Sequence, residues 1–229
     1  LKQKVNSIIV SKSSKEGSGI GTTTFNDGLT YGSYPYGTRV QDEIISLNVP
    51  DIVEIHGIYE SVDTGAASAP KMTLSSLTSA STTTAELIIG ELIVGQVTNA
   101  VAIVAEKVSN SSSQIVYIYK NDITFKEGEV VVFQDSNVEG TITTLDTPSF
   151  DISSNYKFRT GQKGTFYDYG IIERKDEALA PQKQLKVYFM SAYYASTDTG
   201  DVTTVNSYDN FDYSTEIKDV NNVSTADII

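Results

Sequence analysis

Hydrophobic positions along this chain recur at every second residue or gather in short unbroken runs, the two patterns of pleated strands. No stretch carries a convincing amphipathic helix, and residues 176–180 offer at most one turn. Strands are predicted over residues 5–10, 22–25, 29–34, 43–47 and 51–62. Between the second and third of these, Asn26-Asp27-Gly28 predicts a hairpin turn, because Asp-Gly supplies the positive φ that such turns need. Tyr34-Pro35-Tyr36-Gly37 predicts another turn. Over 51–62, Ile52, Glu54, His56 and Ile58 alternate with Val53, Ile55 and Gly57. Both sides carry apolar groups, so this strand is expected to be buried along most of its length. Residues 11–21 read as a polar Gly/Ser-rich loop. Residues 63–84, rich in Ser, Thr, Ala and Gly, read as a linker or mobile loop.

The texture then changes. Short apolar runs at 86–90, 91–95, 100–104, 114–119, 129–133 and 140–144 are broken at 110–113, 126–128 and 135–137. Strands spaced by roughly 8–12 residues suggest a small barrel or sandwich, and closure would remove exposed edges. Longer strands return at 156–159, 165–174, 185–194 and 202–208, with residues 176–184 as a connection. The expected fold is all-β, a β-sandwich interrupted by a small inserted β-barrel. Its expected parts are an N-terminal strand and linker region at 1–33, a discontinuous sandwich with an extended tail at 34–81 and 147–229, and the barrel at 82–146. Insertion at an exposed Ser/Thr-rich stretch is physically easy.

Composition narrows the function. The chain has 229 residues, enough for one large β domain or two smaller ones. Its 39% hydrophobic and 20% charged content is that of a globular protein. A net charge of -12 repels phosphate backbones, so no nucleic-acid partner is expected, and the acidity reads first as solubility. The absence of cysteine excludes a disulfide framework, a thiolate metal site and a cysteine nucleophile. The most apolar stretch, 87–104, is interrupted by Glu91, Gln96 and Asn99, so no membrane insertion is expected. Leu1-Lys2-Gln3-Lys4 has no signal-peptide layout, and the chain stops on Ile228-Ile229. Both ends look cut from a longer polypeptide.

Candidate chemistry is sparse. The single histidine, His56, lies mid-strand among apolar neighbours, where a histidine is usually a satisfied core or interface residue. A Ser-His-Asp triad is formally open, but no Gly-x-Ser-x-Gly elbow accompanies it. Asp168 and Glu173 could serve as paired carboxylates for glycoside hydrolysis, but five residues along a strand puts them on opposite faces. Asp198, Asp201, Asp209 and Asp212 could attract calcium, but no calcium-loop pattern surrounds them. Gly17-Ser18-Gly19-Ile20-Gly21 lacks the context of a phosphate or dinucleotide loop. No catalytic, cofactor-binding or metal-ligating residue is therefore expected, and no cofactor. Tyr167, Tyr169, Tyr188, Tyr193 and Tyr194 crowd adjacent predicted strands. They read equally as a protein interface and as ordinary cross-strand pairing.

Three stretches carry a likeness to a known family. The first is Arg39-Val40-Gln41-Asp42-Glu43-Ile44-Ile45 with 51–61 after it. The second is Gly95-Gln96-Val97-Thr98-Asn99-Ala100, followed by 125–129 and Ser136. The third is Gly161-Gln162, Tyr167-Asp168-Tyr169-Gly170, Ala180-Pro181, 185–189, Asn206-Ser207-Tyr208 and 213–217. This order resembles the long virion structural proteins of contractile-tailed bacteriophages, such as cyanobacterial myoviruses. In that family a Gly-Gln motif precedes a Tyr-Asp-Tyr strand, an Ala-Pro turn, a Leu-x-Val-x-Tyr strand and a Ser-Tyr motif. Here Gly161-Gln162 runs into Lys163-Gly164 where the family often has arginine, so an ion pair that depends on that arginine would be missing. The resemblance implies a non-enzymatic structural and docking module of a tail, baseplate or fibre-attachment protein in the virion. Its partners would be other virion structural proteins and copies of itself. The alternative is a receptor- or glycan-binding adhesive module of a tail fibre. Its tip would be the barrel at 82–146, where Tyr117 and Tyr119 share one face and Phe133 lies near. A carbohydrate-cleaving domain ranks last.

Overall fold

The structure is a computed structural model describing residues 2–19, 21, 23–33, 36–80, 82–146, 149–161 and 169–193. The chain divides into two compact units, Lys4–Ser191 and Leu1–Gln3 with Ala192–Ile229. Of the latter, residues 2–3 and 192–193 are described, and they are strand ends.

The described strands are β1 (Lys2–Val10), β2 (Lys12–Ser13), β3 (Ser18–Gly19), β4 (Phe25–Asn26), β5 (Thr30–Tyr31), β6 (Ile44–Ser46), β7 (Ile52–Glu60), β8 (Lys71–Ser75) and β9 (Leu92–Gly95). There follow β10 (Val101–Lys107), β11 (Gln114–Tyr119), β12 (Val130–Phe133), β13 (Glu139–Asp146), β14 (Phe150–Asp151), β15 (Tyr156–Arg159), β16 (Ile171–Arg174) and β17 (Leu185–Tyr193). Helical turns are confined to two short 3-10 segments, Thr84–Glu86 and Ser153–Asn155, among the described residues. The fold is all-β with a small closed barrel.

One sheet has the order β1-β17-β7-β14 and a second the order β15-β16-β6. Val10, Leu29, Val40, Ile45, Leu47, Ile52, Ile58, Tyr156, Ile172, Leu185, Val187 and Phe189 form one buried cluster contributed by both. The opposite face of the four-stranded sheet carries Val5, Tyr59 and Tyr188. They pack with Ala69 and with Ile103, Ala105, Val116 and Ile118 from the outer wall of the barrel. Gly57, Ile58 and Tyr59 of β7 are thus covered on both faces, whereas Val53 and Glu54 at its start are exposed, short of the burial along most of its length that the apolar content of 51–62 predicts.

Strand β7 does not alternate as expected. Its register against β17 shifts twice: Tyr188 pairs with Gly57 but Phe189 with Ile55, and Met190 with Glu54 but Ser191 with Ile52. Each shift is a β-bulge that lets one residue pass without turning its successors to the wrong face. Ile52, Ile55 and Ile58, three residues apart, consequently all reach the same cluster, and His56 is the extra residue of one bulge.

The barrel closes in the order β10-β11-β8-β13-β12-β9. It takes β8 from the stretch read as a linker. Met72 and Leu74 point inward while Lys71, Thr73 and Ser75 are partly exposed, a short alternation hidden in a Ser/Thr-rich background. The predicted hairpin at Asn26-Asp27-Gly28 does not form either. β4 runs parallel to β3, and β5 parallel to β2. Asp27 instead accepts hydrogen bonds from the backbone N–H of Leu29 and Gly19 and from the Ser18 hydroxyl, so its side chain builds the turn that a hairpin ladder would have made.

The barrel is two copies of one three-stranded unit. Val94 of β9 pairs with Val132 of β12, flanked by Gly95 with Val131 and Ile93 with Phe133, so a local two-fold axis passes between the two valines. Several backbone features on one side have a counterpart on the other. Gly90 and Gly128 have φ of 97° and 86°, and Asn99 and Asn137 have φ of 60° and 56°. The N–H of Gly90 donates to the Val104 carbonyl as that of Gly128 does to Ile142. β10 bulges between Val104 and Glu106, and β13 bulges at the matching place between Ile142 and Thr144.

The two-fold also organises two buried carboxylates. Glu91 is 1% exposed and Glu129 4%. Glu91 accepts hydrogen bonds from the backbone N–H of Ile88, Asp135 and Ser136 and from the Ser136 hydroxyl. Glu129 accepts from the backbone N–H of Lys126, Val97 and Thr98 and from the Thr98 hydroxyl. Each copy's carboxylate therefore pins the other copy's turn. A buried charge is tolerated when hydrogen bonds take up its lone pairs, and here they do.

Candidate functional site

The bulge in β7 brings His56 to a cavity of about 510 Å³ between the four-stranded sheet and the barrel. The sheet side contributes His56, Tyr59 and Asp151. The barrel side contributes Tyr117, Tyr119, Phe125 and Asp146, with Pro70 leading into β8. Pairs with the local two-fold show how the wall arose. Tyr117 occupies the position held by Leu74 in the other copy, and Phe125 that held by Leu87, so this end of the barrel is aromatic where the other is aliphatic.

The rings are mutually braced. Tyr117 meets Tyr119 edge-on at 5.2 Å and Phe125 at 5.5 Å. The Tyr117 and Tyr119 hydroxyls lie 3.3 Å apart, and the Tyr119 oxygen accepts the Phe125 N–H at 3.0 Å. Burial pushes the Tyr59 and Tyr117 phenols far up, so both stay protonated at any physiological pH. The Asp151 carboxylate accepts from the Ser153 N–H and hydroxyl, and Asp146 from the Gln114 side-chain amide, which orients both.

The His56 ring is 1% exposed. Its Nδ1 lies 3.7 Å from a carboxylate oxygen of Glu54, beyond hydrogen-bond range, and neither ring nitrogen has a hydrogen-bond partner. The same Glu54 oxygen accepts from Lys120 Nζ at 2.6 Å. Burial is the main influence on His56 and lowers its pKa; Glu54 pulls the other way and Lys120 adds to the lowering. The imidazole is therefore neutral at pH 7, with one N–H donor and one acceptor lone pair.

The tyrosines singled out in the sequence scatter. Tyr188 is fully buried inside the chain, edge-on to Tyr59 at 5.9 Å, with Lys186 Nζ 5.1 Å above its ring. It is therefore no inter-chain contact; it seals the sheet against the barrel. Lys186 continues that seam by donating to Glu106 at 2.6 Å. Tyr169 is half exposed beside Gly170. Tyr193 ends β17, and its side chain lies outside the described residues, as do Tyr167 and Tyr194 entirely. Tyr117, Tyr119 and Phe133 do not make an exposed stacking face: Tyr117 and Phe133 are core residues of the barrel.

Other candidates separate as well. Glu173 pairs with Arg159 across β15 and β16, while Asp168 lies outside the described residues. Asp198, Asp201, Asp209 and Asp212 also lie outside them. Among the described residues no group of three metal-ligating side chains converges. In the glycine-rich loop, Ser18–Gly19 pairs with β4 and no helix follows. No described helix is long and apolar enough to cross a membrane. Comparison with protein-family models, curated proteins and solved structures finds no match for this chain.

The sequence places Tyr117 and Tyr119 on one face, but it does not show the turn-holding roles of Glu91 and Glu129 or the place of Phe125 beside those tyrosines. The usable signal was the repeated Gly-Glu, Gln and Thr/Ser-Asn pattern of 90–99 and 128–137, a duplication whose hydrophobic residues differ enough to mask it.

Proposed function

We propose that this chain is a non-enzymatic structural and docking module of a phage tail, baseplate or fibre-attachment protein, and that its barrel docks on a second copy of itself. The observation that carries the docking role is the outer face of β9 and β12. Leu92 and Val94 of one strand and Val130 and Val132 of the other point outward there, with Leu92 42% and Val130 37% exposed. Ile88 and Ile89, shortly before β9 in the chain, are also exposed. Contiguous apolar surface of this kind marks an interaction site.

The choice of a second copy rests on symmetry. The patch straddles the local two-fold, so it reads alike in both directions along the strands. A surface of that form can meet its own copy through an isologous contact. The phage setting is supported by the motif order of the sequence. The non-enzymatic reading is supported by the way Glu91, Glu129 and Asp42 are committed to backbone N–H groups.

Light scattering over a concentration series tests the reading. The expected result is a concentration-dependent dimer or higher oligomer that Leu92→Lys with Val130→Lys returns to monomer. A wild-type chain that stays monomeric throughout and shows no affinity for virion fractions would sink it.

A further inference from the structure

We infer that the seam between the four-stranded sheet and the barrel is an acid-sensitive hinge, closed by the Lys120–Glu54 ion pair and opened when His56 takes up a proton. The path of the chain supplies the hinge. It passes from sheet to barrel between Glu60 and Lys71 and returns between Asp146 and Phe150. Both crossings lie at one end of the seam, because Phe150 pairs with Glu60 on the sheet and Asp146 with Lys71 on the barrel. There the crossings are tied together: the Ser149 N–H donates to the Ser68 carbonyl, and the Ser68 N–H to the Ser149 hydroxyl. The Lys186–Glu106 pair belongs to the same end. Lys186 lies opposite Tyr59, and Glu106 opposite Val116, which in turn pairs with Lys71. From this end β7 runs back to Glu54, and β11 runs on to Tyr119 with Lys120 just after it. The Lys120–Glu54 pair at 2.6 Å is therefore a latch at the end where no chain crosses.

His56 sits beside the latch. Its Nδ1 is 3.7 Å from the same Glu54 oxygen that accepts from Lys120, its side chain is 1% exposed and neither ring nitrogen has a partner. A buried imidazole in that state tolerates its neutral form far better than its charged one. The other ionisable groups near it are Tyr59 and Asp151 on the sheet side and Tyr117, Tyr119 and Asp146 on the barrel side. The charges that act on the ring are those of the latch: burial disfavours the imidazolium first, Glu54 opposes that and Lys120 adds to it. A proton on His56 sets two cations, the imidazolium and the Lys120 ammonium, against one carboxylate at the edge of an apolar seam. The closed state thus binds this proton more weakly than a state in which the ring meets water, and falling pH favours the open one. Opening parts Lys120 from Glu54 while the crossings and the Lys186–Glu106 pair hold. Protonated histidines move interfaces in this way when they bias an element with two arrangements.

The chain has no cysteine, so Val53→Cys beside Glu54 and Asp122→Cys beyond Lys120 accept two nitroxide labels at exposed positions. The distance between them is measured on the full chain by pulsed dipolar spectroscopy from about pH 7.5 to about pH 5, the range in which histidines change charge. His56 is the single histidine, so its imidazole proton signal reports its own titration over the same range. The expected result is a second, longer distance that grows in with the midpoint of that signal while far-UV dichroism stays unchanged. His56→Gln cannot take up the proton and should keep the short distance throughout. If that variant does not fold, the agreement of the two wild-type midpoints decides alone. A single short distance across the whole range would overturn the inference. So would equal lengthening in His56→Gln, lengthening that does not follow the His56 titration, or lengthening with loss of strand dichroism, which is unfolding of the whole chain. The docking face of β9 and β12 takes no part in this response, so the two readings fail or hold independently.

Discussion

Single residues in this chain act mainly by holding backbone turns. Asp42 is buried, takes the N–H groups of Gly37, Thr38 and Arg39, and pairs with the Arg39 guanidinium at 3.0 Å. Glu91 and Glu129 repeat that role across the barrel's two-fold. Removing one such carboxylate leaves several buried N–H groups unpaired, each costing about 1–3 kcal/mol before relaxation or water entry. Glu129→Ala should therefore destabilise the protein by about 3 kcal/mol or more, and Glu91→Ala by a similar amount. In thermal unfolding this corresponds to a fall of roughly 6–12 °C for a domain of this size. A loss below about 1 kcal/mol for both would show that the reciprocal pinning contributes little. Gly57 is a second single-residue constraint. A Cβ there would meet Tyr59 Cε2 at 2.7 Å, so Gly57→Ala should displace the Tyr59 ring from the Tyr188 edge and lower stability, read as loss of near-UV tyrosine dichroism.

At the scale of the element, β7 shows how a strand escapes its own periodicity. Its two bulges let residues three apart face one core and leave His56 on the cavity side. The consequence is measurable through pH. Burial lowers the His56 pKa below its ordinary 6.5, more than Glu54 restores it, with Lys120 adding to the lowering. Tyr59, Asp151 and Asp146 line the same cavity. Between the ordinary value and the lower folded one, the unfolded chain binds the proton and the folded chain does not. Stability must then fall as pH drops through this window. The urea midpoint is expected to decrease from about pH 7 to about pH 5, and His56→Gln should flatten that decline. Glu54, held low by its hydrogen bond from Lys120, loses its contribution further down, below its ordinary 4.5. An equal decline in both proteins would show that His56 is not the group responsible.

At the scale of the molecule, the duplicated barrel has been made asymmetric by its environment. Ile103, Ala105, Val116 and Ile118 face the sheet. The two-fold places Thr141, Thr143, Thr73 and Ser75 at the corresponding positions on the other wall, and none of these is buried. The difference is the physical signature of docking: side chains on one copy exclude water, while their counterparts meet it. Val116→Thr with Ile118→Ser would make the docked wall resemble the free one. Burying a Val or Ile side chain contributes about 1.5–3 kcal/mol, so the pair should cost about 3 kcal/mol or more. The expected outcome is a barrel whose amide protons on β8, β9, β12 and β13 remain protected while β7 and β17 exchange faster. Uniform loss of protection would mean that the barrel depends on the sheet for its own stability.

The all-β class and the run of short strands that makes a small barrel follow from residue patterns within each segment. Alternation and turn residues are local, and Val130–Phe133 or Gln114–Tyr119 carry them whatever surrounds them. The remaining features depend on contacts between distant segments. Lys71–Ser75 became a barrel strand because β11 and β13 were there to pair with it. Asn26-Asp27-Gly28 failed to make a hairpin because the Asp27 side chain found Ser18 and Gly19. Tyr188 went inward because the barrel covered it. Register, closure and burial depend on partners far apart along the chain, and no local pattern of residues can state which partner is met.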